Sequence, residues 1–288
     1  MSTLVALSIS ALAFTACAGT TDSDPSPAAE PTMPVVQDAA DLVPAAIKDK
    51  GVLTVVMPTN EPPMQFYKQG TKDMTGVNAD IARLLASALG LGIDIQIANF
   101  DALIPGLAAG RYDATVSSMT PTEERMQTLD FVEYMNIGSA VGALEETDVS
   151  IDDMCGRSVA LLSGSYQLSV NIPLIDEACT SGGEQPVDVM VFAETRQVIQ
   201  AVTSGRADAA FADSTVIGYA AGQNPGFVVK SEFDSAPVAV GIPHDTGLLE
   251  PVTKAMEAII DSPEYIEVLT TYGLESGAIT EVGVNVPQ

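Results

Sequence analysis

Apolar residues along this chain fall into runs of two periods. Leu4 to Phe14 is an uncharged, mostly apolar stretch of 11 residues. No period follows it until Gly51-Val52-Leu53-Thr54-Val55-Val56, a glycine-opened run that reads as a buried strand. Asn78 to Leu89 then places Ile81, Leu84, Leu85 and Leu89 at helical spacing, which predicts a helix with one buried face. A second glycine-opened run, Gly156-Arg157-Ser158-Val159-Ala160-Leu161-Leu162, predicts another strand like the first.

Two longer segments share one pattern. Residues 101–120 read DALIPGLAAGRYDATVSSMT, and residues 196–215 read RQVIQAVTSGRADAAFADST. Each has an amphipathic helical stretch, then Gly-Arg-Xaa-Asp-Ala, then an apolar strand, then polar residues. Gly110 matches Gly205, Asp113 matches Asp208, and Ser118 matches Asp213. Glycine at the helix end permits a left-handed stop. The pattern therefore predicts two α/β units with matching halves. In open α/β sheets, ligands sit beyond the carboxyl ends of the strands. Both polar clusters, SSMT and ADST, fall at such ends, so two units face to face would form a cleft with polar walls.

Composition narrows the class. A chain of 288 residues suffices for two modest α/β lobes. Lys plus Arg number 12 against 38 Asp plus Glu, a net charge of −26, which gives nucleic acid no basic footprint. The Leu4–Phe14 run is shorter than the ~20 residues that span a bilayer, but it suits a signal peptide over residues 1–16. Thr15-Ala16-Cys17 resembles a bacterial lipobox, which would make Cys17 a lipidated first residue; the absence of Lys or Arg before the apolar run departs from the usual pattern. After Cys17, Ser, Thr, Pro, Ala and acids dominate, so residues 17–44 read as a lipidated N-terminus and disordered tether. Cys155 and Cys179 lie 24 positions apart in a chain expected to be exported, which predicts a disulfide. No histidine accompanies them, so no metal site is expected. A single histidine, His244, and the lack of GxSxG or a phosphate loop argue against hydrolase and nucleotide chemistry. No cofactor is expected.

From about Ile47 to Ile279 the chain resembles the extracellular solute-binding proteins of amino-acid ABC importers, solute-binding protein family 3. The resemblance rests on pieces in order. Gly51 to Phe66 fits GxLxVxxxxxxPPxxF. Gly76-Val77-Asn78-Ala79-Asp80 fits Gly-aromatic-Asp-x-Asp, departing at Val77 and Asn78. FDALIPGLAAGRYD, SSMTPTEERMQTLDF, the Gly164-Ser165 turn, SGRADAAFAD and SPEYIEVLTTYGL follow. The resemblance implies a two-lobed α/β fold of the periplasmic-binding-protein type II class, with two crossover strands that let the lobes close on a ligand. Residues 45–140 and 237–288 would form lobe one, and 141–236 the hinges and lobe two, with crossings near Ala140–Leu144 and Phe233–Pro237. It also implies capture of an amino acid and delivery to an ABC transporter permease, from a position anchored to the membrane through lipid on Cys17.

The same resemblance assigns roles in the cleft. Arg125 would hold the ligand carboxylate through two parallel N–H···O bonds. The residues alone leave Thr120 and Thr122 both as caps of a helix starting there, since Thr120-Pro121-Thr122-Glu123 fits a capping box with Pro at N1. The family pattern makes Thr122 the cap and leaves the Thr120 hydroxyl, with Ser118, for the ligand. The helix start would add N–H groups and a positive dipole end. Ser165 would reach the carboxylate from lobe two, and Asp213 would accept the ammonium or else cap the helix after it. Phe100 and Tyr166 would wall the side-chain pocket. Glu61 stands where relatives often have an aromatic; there it suggests a cationic ligand such as arginine, lysine or ornithine, or else is an exposed loop residue. A few dehydratases on this fold use an acidic cleft residue, so an enzyme acting on a small carboxylate is the alternative reading, with a ligand-sensing module as a third.

Overall fold

The computed structural model describes residues 30–288. The expected signal peptide, Cys17 and the front of the tether lie outside the described residues. Ten strands form among the described residues: β1 (Val52–Met57), β2 (Phe66–Tyr67), β3 (Met74–Thr75), β4 (Gly92–Ile97), β5 (Ala114–Met119), β6 (Leu129–Leu144), β7 (Ser158–Leu162), β8 (Asp188–Phe192), β9 (Ala209–Asp213) and β10 (Phe227–Pro243). Helices α1 (Gln37–Ala40), α2 (Ala45–Lys50), α3 (Val77–Ala88), α4 (Leu103–Ala108), α5 (Ile172–Ser181), α6 (Thr195–Thr203), α7 (Ser214–Gln223), α8 (Leu249–Ile260) and α9 (Pro263–Thr271) lie before, between and after them. None of these helices is long and apolar enough to cross a membrane.

Eight strands make one open mixed sheet in the order β4-β1-β5-β10-β6-β9-β7-β8. The two glycine-opened runs become β1 and β7, each flanked by two parallel neighbours. Both are apolar and mostly buried, as parallel strands covered on both faces must be, while the edge strands β4 and β8 are largely exposed or half-buried. Apolar side chains gather at the two ends of the sheet. Leu53, Ile81, Leu84, Met256 and Leu269 belong to one core, where the predicted stripe of α3 is buried. The other end has a core on each face of its strands. Val198, Ile217 and Phe227 pack in one, and Val159, Phe211 and Ile172 in the other.

The long antiparallel strands β6 and β10 run through the middle. β6 pairs with β9 only from Ser139 to Ala143, and β10 pairs with β5 only from Ala239 to Gly241. Between those stretches, residues 135–138 and 235–238 pair only with each other, so the sheet narrows to a two-stranded ribbon. The crossing expected at Phe233–Pro237 overlaps this ribbon. The one expected at Ala140–Leu144 lies too late, because Ala140 and Val141 are buried and already pair with Ala212 and Phe211 of β9.

Two further expectations are corrected. The tether does not extend to residue 44. Gln37–Ala40 is helical, Ala39 and Val43 are buried in the core of α3 and α8, and the Val36 N–H donates to Ala88 O at 2.8 Å. Their small apolar side chains were masked by the surrounding Pro and acidic residues. The α-helix expected from Thr120 or Thr122 does not form either. A turn leads into one 3-10 turn, Arg125–Gln127, and β6 begins at Leu129. The Thr122 hydroxyl still accepts the Arg125 N–H at 3.2 Å, so the local cap survives without a helix behind it, and this segment brings no helix dipole to the cleft. The Cys155–Cys179 disulfide is present, with Cα atoms 5.5 Å apart, and ties the loop before β7 to α5.

Candidate functional site

The repeated Gly-Arg-Xaa-Asp-Ala has a structural task. Gly110 and Gly205 end their helices at φ of 68° and 72°, a region costly for other residues. Three residues on, Asp113 accepts the Thr54 N–H of β1 at 2.7 Å, and Asp208 accepts the Ser158 N–H of β7 at 2.8 Å. Each aspartate also donates its own N–H back, Asp113 to Thr54 O and Asp208 to Ser158 O. Both units thus register their central parallel strands by the same reciprocal clasp, and both strands then run to the same cleft.

A cavity lies where those strands end. Ser117 and Ser118 of β5, Asp213 of β9 and Leu162 of β7 meet there with Glu61, Phe100, Arg125, Ser165, Tyr166, Gln167 and Thr195. Arg125 is 7% exposed, which excludes a surface pairing with Glu124. Its Nη1 donates to Thr120 O at 2.7 Å and its Nη2 to Gly164 O at 2.8 Å, and its guanidinium carbon lies 5.6 Å from the Phe100 ring centre. Those hydrogen bonds go to carbonyls rather than to a carboxylate, and further N–H groups of the fork remain for an anion. Burial lowers the Arg125 pKa to about 10, with Asp213 opposing the fall.

Asp213 stands at the N-cap position of α7, but its side chain makes no capping bond. Its Oδ1 instead accepts from Gln167 Nε2 at 3.0 Å, and the same amide donates to Ser139 Oγ at 2.9 Å. Burial raises its pKa to about 6, against the pull of Gln167 and Arg125. Glu61 is buried, not an exposed loop residue, and accepts from Gln65 on one oxygen and Thr195 on the other. Burial and, less strongly, Asp213 raise its pKa to about 7, while Thr195 and Gln65 oppose the rise. Ser118 adopts φ 55°, uncommon for serine, and is held there by its N–H to Tyr134 Oη (3.0 Å) and by Asn78 Nδ2 to its Oγ (2.9 Å).

The structure brings together Arg125, Ser118, Ser165, Asp213, Phe100, Glu61 and Tyr166 on one cavity. Thr120 is buried outside that lining and contributes its carbonyl to Arg125, not a hydroxyl to the cavity. Ser165 Oγ also accepts the Leu168 N–H at 3.2 Å, so it starts the helical segment after the turn. Sequence reasoning missed Gln167 and Thr195. Thr195 had a signal, a hydroxyl residue opening the helix of the second repeat. Gln167, in a π-helical turn, had none. His244 is half-exposed beside Asp130 and away from the cavity. Among the described residues, no cluster of three or more His, Cys, Asp or Glu is placed to hold a metal.

Three hydrogen bonds cross the cleft from the β1–β5 half to the β7–β9 half: Arg125 to Gly164, Ser163 Oγ to Asp101 Oδ2 at 2.9 Å, and Thr195 to Glu61. The same architecture is found in known proteins. The chain is 28% identical to the arginine-binding protein ArgT of Corynebacterium glutamicum over 248 residues, covering 85% of this chain and 81% of that protein. It superposes with a TM-score of 0.70 on an ancestral arginine-binding protein bound to arginine, at 27% identity, covering 77% and 98% of the two chains. The ancestral amino acid-binding protein AncCDT-1, a precursor of cyclohexadienyl dehydratase, superposes with a TM-score of 0.67 at 26% identity, covering 79% and 97%. The model of the bacterial extracellular solute-binding proteins, family 3, matches residues 53–275. With two sheet halves, a central ribbon and a polar cleft at the strand ends, the chain belongs to the bacterial extracellular solute-binding proteins of family 3.

Proposed function

We propose that this protein captures a basic α-amino acid outside the cell and delivers it to an ABC importer. One observation carries the reading: the cavity sets one buried guanidinium, Arg125, against two buried carboxyl groups, Asp213 and Glu61. A basic amino acid presents the complement, one carboxylate and two cations. Arg125 pairs with the α-carboxylate, assisted by the hydroxyls of Ser118 and Ser165. Asp213 accepts the α-ammonium, Glu61 takes the side-chain cation, and Phe100 and Tyr166 bound the pocket. Each buried charge then gains a partner, which offsets the desolvation that burial imposes on it. Arginine-binding relatives support the choice. The β1–β5 half, with residues 36–44, and the β7–β9 half act as the two lobes that close about the ribbon of 135–138 and 235–238, because both walls pair with one ligand. Calorimetric titration with arginine, lysine, ornithine, glutamine and glutamate tests the reading; binding of glutamate in preference to arginine would overturn it.

Export and anchoring complete the proposal. Residues 1–16 direct secretion and Cys17 carries the lipid. Fatty-acid labelling that persists in Cys17→Ser would refute the anchor. An enzyme reading has one observation in its favour, a cleft carboxyl group whose pKa burial lifts to about 7, in a fold shared with a dehydratase precursor. Full recovery of unchanged amino acid after incubation separates binding from turnover.

A further inference from the structure

Behind the cavity runs a line of buried polar side chains that the binding reading does not use. Tyr134, Asn78 and Gln65 are each 0% exposed, and they connect β6, α3 and the loop after β1 to Glu61. The line starts at a group whose direction is fixed. The Ser118 backbone N–H donates to Tyr134 Oη at 3.0 Å, so the phenol oxygen is an acceptor there. Burial pushes the Tyr134 phenol well above its ordinary pKa, so it keeps its proton. That proton goes to Asn78 Oδ1, 2.6 Å away. The Asn78 carbonyl is thereby committed, and its amide nitrogen must face the other way. It donates to Gln65 Oε1 at 2.5 Å and to Ser118 Oγ at 2.9 Å. The Gln65 carbonyl is committed in turn, and its amide nitrogen donates to Glu61 Oε2.

Reversing any amide would leave a buried donor facing a donor or an acceptor facing an acceptor, which costs about 1–3 kcal/mol per unpaired group. Thr195, on the other oxygen of Glu61, has no such commitment, because a hydroxyl can rotate to accept as well as donate. Of the two partners of Glu61, only Gln65 is locked as a donor.

We propose that Asn78, acting through Gln65, is a positioning residue that favours the anionic form of Glu61 and so sets the preference of the site for a cationic side chain. The departure of position 78 from the Asp of the family pattern has a consequence. An Asp there would accept from Tyr134 and Ser118 but would also need a donor from Gln65. Gln65 would turn over, present its carbonyl to Glu61, and require Glu61 to take up a proton and donate it. A neutral Glu61 has no charge to offer a guanidinium or ammonium. Among the ionisable groups around Glu61, Asp213 from β9 opposes ionisation, Glu194 lines a neighbouring cavity with Glu61, and Arg125 and Tyr166 share the lining of the main one.

The selectivity half of the proposal rests on the basic-amino-acid reading; the protonation half does not. The experiment therefore has two readouts. The first is the titration of the Glu61 side-chain carboxyl in ligand-free protein, followed by carbon NMR in wild type, Asn78→Asp and Gln65→Met. Gln65→Met removes the donor without adding a charge and serves if Asn78→Asp folds poorly. Both variants should move the Glu61 midpoint upward by about one pH unit or more, a tenfold change in proton affinity. The second readout is calorimetric titration with arginine and glutamine across pH 6 to about 9. Arginine should bind the variants about tenfold more weakly near neutral pH and recover as pH rises, with glutamine little changed. An unmoved Glu61 midpoint in both variants would overturn the relay. Equal weakening of arginine and glutamine without any pH displacement would overturn the selectivity claim and leave Asn78 a structural residue. If wild type binds no arginine but the midpoint still moves, the relay stands and the ligand assignment falls.

Discussion

The two Gly-Arg-Xaa-Asp-Ala units share a scaffold and differ in chemistry where the strand meets the cleft. Asp113 and Asp208 make the same clasp to Thr54 of β1 and Ser158 of β7. At the end of the following strand, the first unit presents Ser118 and, seven residues later, Arg125; the second presents Asp213. At its strand end one unit thus offers donors and the other an acceptor. A zwitterion has the matching asymmetry, so divergence of a few strand-end residues turns a repeated scaffold into a polarised clamp. Sites grafted on a fold carry the chemistry, and the fold itself does not.

Removing a charge from one wall should have the largest effect. Arg125→Ala and Asp213→Ala each leave the opposite ligand charge desolvated and unpaired, at about 3–5 kcal/mol. Each should weaken amino-acid binding by about a hundredfold or more in calorimetry. Arg125→Lys should recover little, because a point charge cannot reproduce the bonds to Thr120 O, Gly164 O and a carboxylate together. Unchanged affinity in Asp213→Ala would mean that the second wall is not polarised for an ammonium.

The next largest difference between the halves is covalent. The Cys155–Cys179 disulfide ties together only the β7–β9 half and closes a loop of 24 residues, worth about 3 kcal/mol in the loop-entropy model. Replacing both cysteines by serine should therefore split thermal unfolding, with the β7–β9 half melting first and the β1–β5 half little affected. A single cooperative transition shifted as a whole would show that the ribbon couples the halves tightly.

The clasps themselves should prove equivalent. Asp113→Ala and Asp208→Ala each unpair a backbone N–H at the start of a central strand, for about 1–3 kcal/mol. Asp113 also pairs with Lys50 at 2.9 Å, but Lys50 is exposed enough for that pair to add little. Denaturant titrations should give similar losses for the two variants, with ligand affinity retained. A loss confined to one variant would mean that only one strand needs the clasp.

Legibility in the sequence followed the range of the interaction. β1, β7, β5, β9 and α3 were readable because period, helix-ending glycine and strand are all local signals. Ser118 and Asp213 were readable as cleft residues because the repeat placed them at strand ends, whereas Arg125, beyond the repeat, was put in the cleft only by the resemblance to the family. The α-helix after Thr120 was not, since a capping pattern says how a helix starts and nothing about whether room remains for it before β6. The tether was read too long because composition averages over the buried Ala39 and Val43. Least legible were the partners of Glu61. Gln65 is four positions away, but Thr195 is 134 away, and Asn78 acts through a second side chain. Hydrogen bonds between distant segments leave no periodic trace.

The last expected effect, read as a slope with pH rather than as a loss, separates the two carboxyl groups of the cleft from those of the clasps. Burial raises the Glu61 pKa from 4.5 to about 7. Between those values the folded protein holds a proton that the unfolded chain has lost. The folded state therefore binds more protons, and the stability of the ligand-free protein falls as pH rises through this window, by about 1.4 kcal/mol for each pH unit per group. Asp213, raised to about 6, acts in the same direction at the lower end of the range. A ligand cation beside Glu61 removes the reason for the raised pKa, so saturating arginine should flatten the slope. Glu61→Gln, which cannot titrate, should flatten it without ligand. Denaturation midpoints measured from pH 5 to about 8, with and without arginine, test this. A ligand-free slope of the opposite sign would mean that Glu61 is held as an anion far more firmly than burial permits, and would move the weight from desolvation to the Gln65 and Thr195 donors.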